Sequence, residues 1–200
     1  MRNAVSLCMG AVLVLGSMGA FAGEPYPLTT CPVSGAALEN GGVAKEYEGR
    51  EVRFCCEGCP NRFEEDVDAS LASLDEAIIE DQKAIYPIEA CVVMEHGMDL
   101  EDATWFVADN RAFATCCGSC EGKLRDEPAE FAAVLDEAAK EKQAADYPLD
   151  TCIVAGAELG DNPVEFIVAG RLMRTCCQNC AGTAQAEPTS FLAKLNEARE

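Results

Sequence analysis

The strongest constraint on this chain is a spacing of cysteines that occurs three times. Of its 13 cysteines, 12 fall into copies of the pattern Cys–x23–24–Cys-Cys-x-x-Cys, which recurs every 60 or 61 residues. The twelve are Cys31, Cys55, Cys56 and Cys59; Cys91, Cys116, Cys117 and Cys120; and Cys152, Cys176, Cys177 and Cys180. Chance does not place four thiols in one register three times, so we infer that the fold or the function of each copy requires them.

A tyrosine-proline pair opens each copy, at Tyr26-Pro27, Tyr86-Pro87 and Tyr147-Pro148. We therefore predict three tandem repeats, over residues 24–85, 86–146 and 147–200. A repeat of about 60 residues is too small to depend comfortably on a hydrophobic core alone, so a staple of disulfides or of bound metal is expected.

The first 22 residues are typical of a secretory signal peptide. Arg2 supplies the basic start, an apolar stretch runs from Ala4 to Met18, and Ala20-Phe21-Ala22 matches a cleavage site. The apolar stretch is shorter than the ~20 residues needed to cross a bilayer. We predict cleavage after Ala22, which also removes Cys8, export to the periplasm or the extracellular space, and no membrane anchor on the mature protein.

The charge of the chain argues against two classes of partner. The formal net charge is −20, and the loss of Arg2 would leave 14 basic against 35 acidic residues. Such a surface repels nucleic acid and anionic membranes, and it raises the local concentration of cations. The simpler interpretation is a solvated surface that keeps an exported protein soluble.

Each repeat is predicted to be α+β, with a cysteine-bearing N-terminal segment, a β-hairpin and a C-terminal helix. The hairpin turns are predicted at Glu48-Gly49, Asp109-Asn110 and Ala169-Gly170. The strands are predicted at 43–47 with 51–54, 104–107 with 112–115, and 164–168 with 172–175. After the last cysteine, apolar residues near positions +4, +11 and +15 predict a helical stripe. Glu127-Pro128 and Glu187-Pro188 predict a break followed by the first turn of a new helix. The arginine after each turn (Arg50, Arg111, Arg171) is interpreted as packing on a carboxylate.

The cysteine spacing within one repeat favours three metal ligands. Cys59 follows Cys55 by four residues and Cys56 by three, so either pair can present both sulfurs on one side of a helix. The side chains of adjacent cysteines are expected to diverge, which makes Cys56 a conditional fourth ligand. Thiolates at a helix start have a lowered pKa. Soft sulfur ligands select zinc, copper(I) and heavier thiophilic ions.

Two other interpretations of the thiols stay open. Two disulfides per repeat would give a rigid, metal-free interaction protein, as export permits. A thiol–disulfide oxidoreductase using Cys56 and Cys59 is less well supported, because the βαβ context of a thioredoxin-type site is missing. No hydrolytic triad or phosphate loop is found, so we predict that the protein is not an enzyme.

Several segments of the first repeat resemble the TRASH/YHS family. They are Cys31-Pro32-Val33-Ser34-Gly35, Tyr47-Glu48-Gly49-Arg50, and Phe54-Cys55-Cys56-Glu57-Gly58-Cys59 with Phe63. The family consists of small treble-clef-like metal-binding modules found in heavy-metal sensors, metal-transporting ATPases and exported proteins. The resemblance implies three tandem treble-clef-like modules, close in the first repeat, fair in the third and weaker in the second. It implies ligand sets Cys31, Cys55, Cys59; Cys91, Cys116, Cys120; and Cys152, Cys176, Cys180.

The chain departs from the family where many relatives carry a further cysteine, at Ser34, Met94 and Ala155. Each site then recruits the adjacent cysteine or stays three-coordinate, and three-coordination suits copper(I) better than structural zinc. Met94 and His96 could add ligands in the second repeat, although Met94 is more simply apolar filling and His96 a surface residue. We predict a soft-metal buffer, scavenger or carrier, with a metal transporter or another exported protein as candidate partner.

Overall fold

The computed structural model describes residues 23–199. The predicted signal peptide and Cys8 lie outside the described residues, as does Glu200. Within them the chain is α+β, with three two-stranded antiparallel sheets and six α-helices. This confirms the α+β part of the predicted fold class. No helix in this part of the chain combines the length and apolar character that crossing a membrane requires.

Each repeat contains one β-hairpin at the predicted place. The strands are β1 (Val43–Tyr47) with β2 (Arg50–Phe54), β3 (Thr104–Ala108) with β4 (Arg111–Thr115), and β5 (Val164–Val168) with β6 (Arg171–Thr175). Both residues of every turn have positive φ, for example 52° at Glu48 and 81° at Gly49. This is the geometry of the primed turns that match strand twist, so the predicted turns are confirmed.

Two helices, rather than one, follow each hairpin. They are α1 (Cys59–Phe63) and α2 (Val67–Lys83), α3 (Gly118–Asp126) and α4 (Pro128–Ala144), and α5 (Gln178–Ala186) and α6 (Pro188–Glu197). In the later repeats the break falls at Glu127-Pro128 and Glu187-Pro188, because proline favours the first turn of a new helix. In the first repeat Asp66 starts α2 by accepting a hydrogen bond from the Ala69 amide (3.1 Å).

The predicted helical stripe forms the core of each repeat. At position +15 from the last cysteine, Leu74, Leu135 and Leu195 are each at most 1% exposed. At position +4, Phe63, Leu124 and Ala184 are equally buried. In the first repeat Phe63 packs with Tyr47 and Phe54, with ring centroids 4.8 and 5.4 Å away. The hairpin is thereby fixed against the helix that carries the last cysteine.

The long helix of one repeat packs on the hairpin of the next. Helix α2 lies against β3 and β4, and α4 lies against β5 and β6. Gln82 near the end of α2 donates to the Asn110 carbonyl (3.2 Å) and accepts from the Ala112 amide (2.9 Å). Gln143 makes the same two bonds, to Gly170 (2.7 Å) and from Leu172 (3.0 Å). Each repeat is therefore packed against the next through a helix and a hairpin turn.

The arginine after each turn binds the long helix of its own repeat. Arg50 pairs with Asp75 (2.6 Å) and Arg111 with Asp136 (2.9 Å). Arg171 donates to Asn196 (3.2 Å), and it also forms a bidentate pair with Asp81 of the first repeat (2.8 and 2.9 Å). The predicted structural role of these arginines is confirmed.

Glycine in place of Glu48 is expected to stabilise the protein. Glu48 is exposed and has a φ of 52°, a conformation that costs a residue with a Cβ about 1 kcal/mol or more. We expect Glu48→Gly to raise the free energy of unfolding by about 1 kcal/mol in denaturant titration. The matched control is Glu46→Gly in the same strand pair, where glycine should lower it by about 0.5–1 kcal/mol. Equal effects at the two positions would contradict the turn geometry.

Candidate metal centre

A short loop presents the first cysteine of each repeat. In the first repeat the Cys31 amide donates to the Ala36 carbonyl (2.8 Å) and the Gly35 amide donates to the Cys31 carbonyl (2.8 Å). Both bonds recur around Cys91 and Cys152, with lengths of 2.7 to 3.1 Å. The loop closes through a residue with positive φ, namely Gly35, Glu95 or Gly156. Closing this loop aims the amides that follow the cysteine toward its sulfur.

The Tyr-Pro lead-in attaches this loop to the hairpin. The Tyr86 hydroxyl accepts a hydrogen bond from the Ala114 amide (3.0 Å), and the Tyr147 hydroxyl accepts one from the Arg174 amide (3.0 Å). Both amides lie two residues before the next cysteine of the triad. Tyr26 instead donates its hydroxyl to the Thr30 carbonyl (2.8 Å) and is fully buried. In the second and third repeats the tyrosine therefore holds the cysteine loop beside the end of the second strand.

The remaining cysteines lie where the hairpin meets the short helix. Cys117 and Cys177 are the N-cap residues of α3 and α5, and their backbone is extended. Cys120 and Cys180 then fall in the first turn. In the first repeat Cys59 is itself the first residue of α1. The segment from the end of the second strand to the first turn of the short helix thus contains three cysteines within five residues.

Three triads of sulfur atoms result, one in each repeat. In each triad all sulfurs lie within 4.8 Å of one another. The triads are Cys31, Cys55 and Cys59; Cys91, Cys116 and Cys120; and Cys152, Cys176 and Cys180. The last two sulfurs of each are 3.7, 3.6 and 3.8 Å apart. Three sulfurs at ~2.3 Å from one zinc ion would be about 3.8–4.0 Å apart, so each triad fits a single metal ion.

The adjacent cysteines lie beside the triads and not within them. Cys56 Sγ is 3.6 Å from Cys59 Sγ, and Cys117 Sγ is 3.7 Å from Cys120 Sγ. Cys117 is also only 3.9 Å from Cys116, although neighbouring side chains were expected to diverge. The extended backbone at Cys117 turns its side chain back toward the helix start. Cys56, Cys117 and Cys177 are all exposed, so each can reach solvent or a fourth coordination position.

The first cysteine of each triad is prepared to be a thiolate. Burial pushes the pKa of Cys31 up, but hydrogen bonds from the Ser34 hydroxyl and from nearby backbone amides outweigh it and lower the pKa to about 6. Burial opposes amide hydrogen bonds in the same way at Cys91 and Cys152, whose pKa falls to about 7. The loop amides thus stabilise negative charge on the sulfur, as metal coordination requires.

The last cysteine of each triad lies at the helix start, where a lowered pKa was predicted, yet its pKa is raised. Burial, followed by hydrogen bonds to the neighbouring thiols, raises the pKa of Cys59 and Cys120 to about 12. At Cys180 the contact with Cys177 is the larger cause and burial the second, with the same result of about 12. Without a cation, three close sulfurs cannot all carry charge, so a proton stays on the last cysteine of the triad. A metal ion would replace that proton.

Ser34 and Met94, which occupy the same loop position in the first two repeats, have different surroundings. The Ser34 hydroxyl lies 3.2 Å from Cys55 Sγ, so it contacts the first triad. Met94 is 56% exposed, which contradicts its interpretation as apolar filling. His96 is exposed, as expected of a surface residue, and its Nδ1 lies 3.1 Å from the Gly97 carbonyl, outside the second triad. Its backbone carbonyl nevertheless closes the Cys91 loop.

The sequence patterns did not identify the backbone amides that lower the pKa of the first cysteine. These amides belong to Val33 and Ser34 and to their counterparts in the other repeats. A backbone amide does not depend on the side chain, so the residue types gave no sign of its role. The glycine four residues after Cys31 and Cys152 is the signal that could have found them, since it marks a tight loop with positive φ.

Comparison of the chain with protein-family models, with curated proteins and with solved structures gives no match. The described residues define the class of the protein: an α+β chain with three cysteine triads, each able to hold a metal ion.

Proposed function

We propose that this protein is an exported soft-metal-binding protein that serves as a buffer, scavenger or carrier. The observation that carries the proposal is the set of three triads, each with its sulfurs within 4.8 Å of one another and each at the same place in its repeat. A disulfide joins two sulfurs and needs no third beside them. Three converging sulfurs, one of them prepared as a thiolate, match the needs of a thiophilic cation.

The donor set favours copper(I) or zinc. Three thiolates alone complete a three-coordinate site, which suits copper(I). Tetrahedral zinc would need a fourth ligand, and Cys56 is near enough to supply it, at 3.6 Å from Cys59. The net charge of −20 supports uptake of either cation by raising its concentration near the surface.

The family and the compartment are part of the proposal. The resemblance to the TRASH/YHS modules supports three tandem treble-clef-like units, and the signal-peptide pattern of residues 1–22 supports export. An exported buffer would exchange metal with a transporter or with another exported protein. No catalytic role is proposed.

Thiol titration with and without a metal chelator tests this function. The protein is exported, purified without chelator and treated with an aromatic disulfide reagent that reports free thiols. Metal binding predicts few reactive thiols before chelation and 12 afterwards in the mature chain, the number of cysteines beyond residue 22. A protein stapled by disulfides would show no reactive thiols in either sample, which would reject the metal-binding function.

A further inference from the structure

The three triads contain the same residue types but differ in exposure. In the first two repeats the last cysteine of the triad is nearly inaccessible, with Cys59 7% and Cys120 4% exposed. In the third repeat Cys180 is half-buried and Cys176 is exposed. The equivalents of Cys176 in the other repeats are only half-exposed. A soluble reagent therefore reaches two of the three sulfurs in the third triad.

Smaller neighbouring side chains accompany this difference. The residue one helical turn after the last cysteine lies on the same face of the helix as the cysteine. It is Phe63 in the first repeat and Leu124 in the second, but Ala184 in the third. At the loop position, Ser34 contacts the first triad through its hydroxyl, whereas Ala155 has no side-chain polar group to offer. On the helix side the third triad therefore has a smaller neighbour than the other two, and on the loop side it lacks the hydroxyl that contacts the first triad.

We propose that the third triad (Cys152, Cys176 and Cys180) is the exchange site through which metal enters and leaves, while the other two triads retain it. This inference rests on the proposed metal-binding function. Exchange of a thiolate-bound ion requires an incoming donor to approach the metal before a bond to the protein breaks. The exposed Cys176 side of the third triad permits that approach, and burial of Cys59 and Cys120 opposes it in the other two.

The exchange step changes no oxidation state, because each thiolate binds or leaves copper with its own electron pair. A thiolate acceptor forms a bond to copper(I) as the bond between copper and Cys176 Sγ breaks. The same exchange then occurs at Cys180 and finally at the buried Cys152. Each acceptor thiol gives its proton to water, and each released protein thiolate takes one up, so the protons balance. Copper stays in the +1 state throughout.

Competition with a copper(I)-specific dye tests the assignment. The full mature chain is loaded anaerobically with copper(I), and transfer to bathocuproine disulfonate is followed by absorbance. We expect one equivalent to leave about tenfold faster than the rest, because reactivity at cysteine follows its exposure. In Cys176→Ser the fast phase should be absent while the slow equivalents stay. A single phase in the wild type, or a fast phase that persists in Cys176→Ser, would overturn the proposal.

Alkylation of the loaded wild type gives a second test that does not depend on a variant folding. N-ethylmaleimide modification, mapped by peptide mass, should reach Cys176 before Cys116, and Cys180 before Cys120; the reverse order within these pairs would overturn the proposal. Ala155→Ser would place a hydroxyl at the position of Ser34, whose hydroxyl contacts the first triad. This variant should slow the fast phase of copper(I) release. If copper(I) slows alkylation in no repeat, the proposed metal-binding function is rejected. If copper(I) protects all three triads equally, metal binding stands and only the exchange-site proposal is rejected.

Discussion

Serine in place of Cys120 is expected to remove one of three bound copper(I) equivalents, whereas serine in place of Cys117 should leave all three. Cys120 is 4% exposed and belongs to the second triad, while Cys117 is exposed and lies beside it. Losing one thiolate of three removes one of the three bonds to the ion, so its binding should weaken enough for the equivalent to be lost in dialysis. Because metal binding couples to folding, the affected repeat should also lose its thermal protection by metal.

The two variants differ by three positions in the chain, which makes them a matched pair for metal stoichiometry. Equilibrium dialysis against copper(I), followed by elemental analysis, gives the bound equivalents for each. Equal loss in both variants would mean that four thiols act together and that the triad is the wrong unit. No loss in either would mean that the second triad does not bind copper.

The second large effect is expected at Asn110, in the turn between β3 and β4. This residue is 1% exposed and has a φ of 64°. Its side-chain amide donates to the carbonyls of Glu24 (3.2 Å) and Glu51 (2.9 Å), and its side-chain oxygen accepts from Arg50 (3.1 Å). We expect Asn110→Ala to lower the free energy of unfolding by about 2–4 kcal/mol, since it leaves buried groups unpaired and keeps a left-handed backbone.

Two further variants separate the causes of that loss. Asn110→Gly removes the same hydrogen bonds but suits the positive φ, so it should cost about 1 kcal/mol less than alanine. Asn162→Ala, at an exposed loop position, should change stability by less than about 0.5 kcal/mol. Denaturant titration measures all three. An Asn110→Ala protein as stable as the wild type would contradict the packing of the first repeat against the second.

The local structure of each repeat was predictable because it depends on short-range chemistry. Gly49, Asn110 and Gly170 tolerate positive φ, so the turns and both flanking strands could be placed to within one residue. The leucine at position +15 marked the buried face of the long helix in every repeat. The break before that helix was visible at the two prolines but not in the first repeat, where the Asp66 cap replaces proline.

The packing between repeats could not be predicted, since it depends on contacts between residues far apart in sequence. Gln82 and Gln143 recur 61 positions apart, yet a glutamine in a charged helix gives no sign that it binds a hairpin turn. The differing exposure of the triads has the same origin. Each repeat has four cysteines in the same pattern. Only the fold shows that their exposure differs, with Cys120 buried and Cys180 half-buried.

Native mass spectrometry of the mature wild-type protein, purified without chelator and then measured again after denaturation, tests the central claim most directly. Metal binding by the triads predicts intact protein carrying up to three copper or zinc ions, one for each triad. It also predicts a denatured mass equal to that of the fully reduced chain. A metal-free intact protein, with a denatured mass lower by the hydrogens lost from its 12 cysteines, would contradict the account and identify a disulfide-stapled protein.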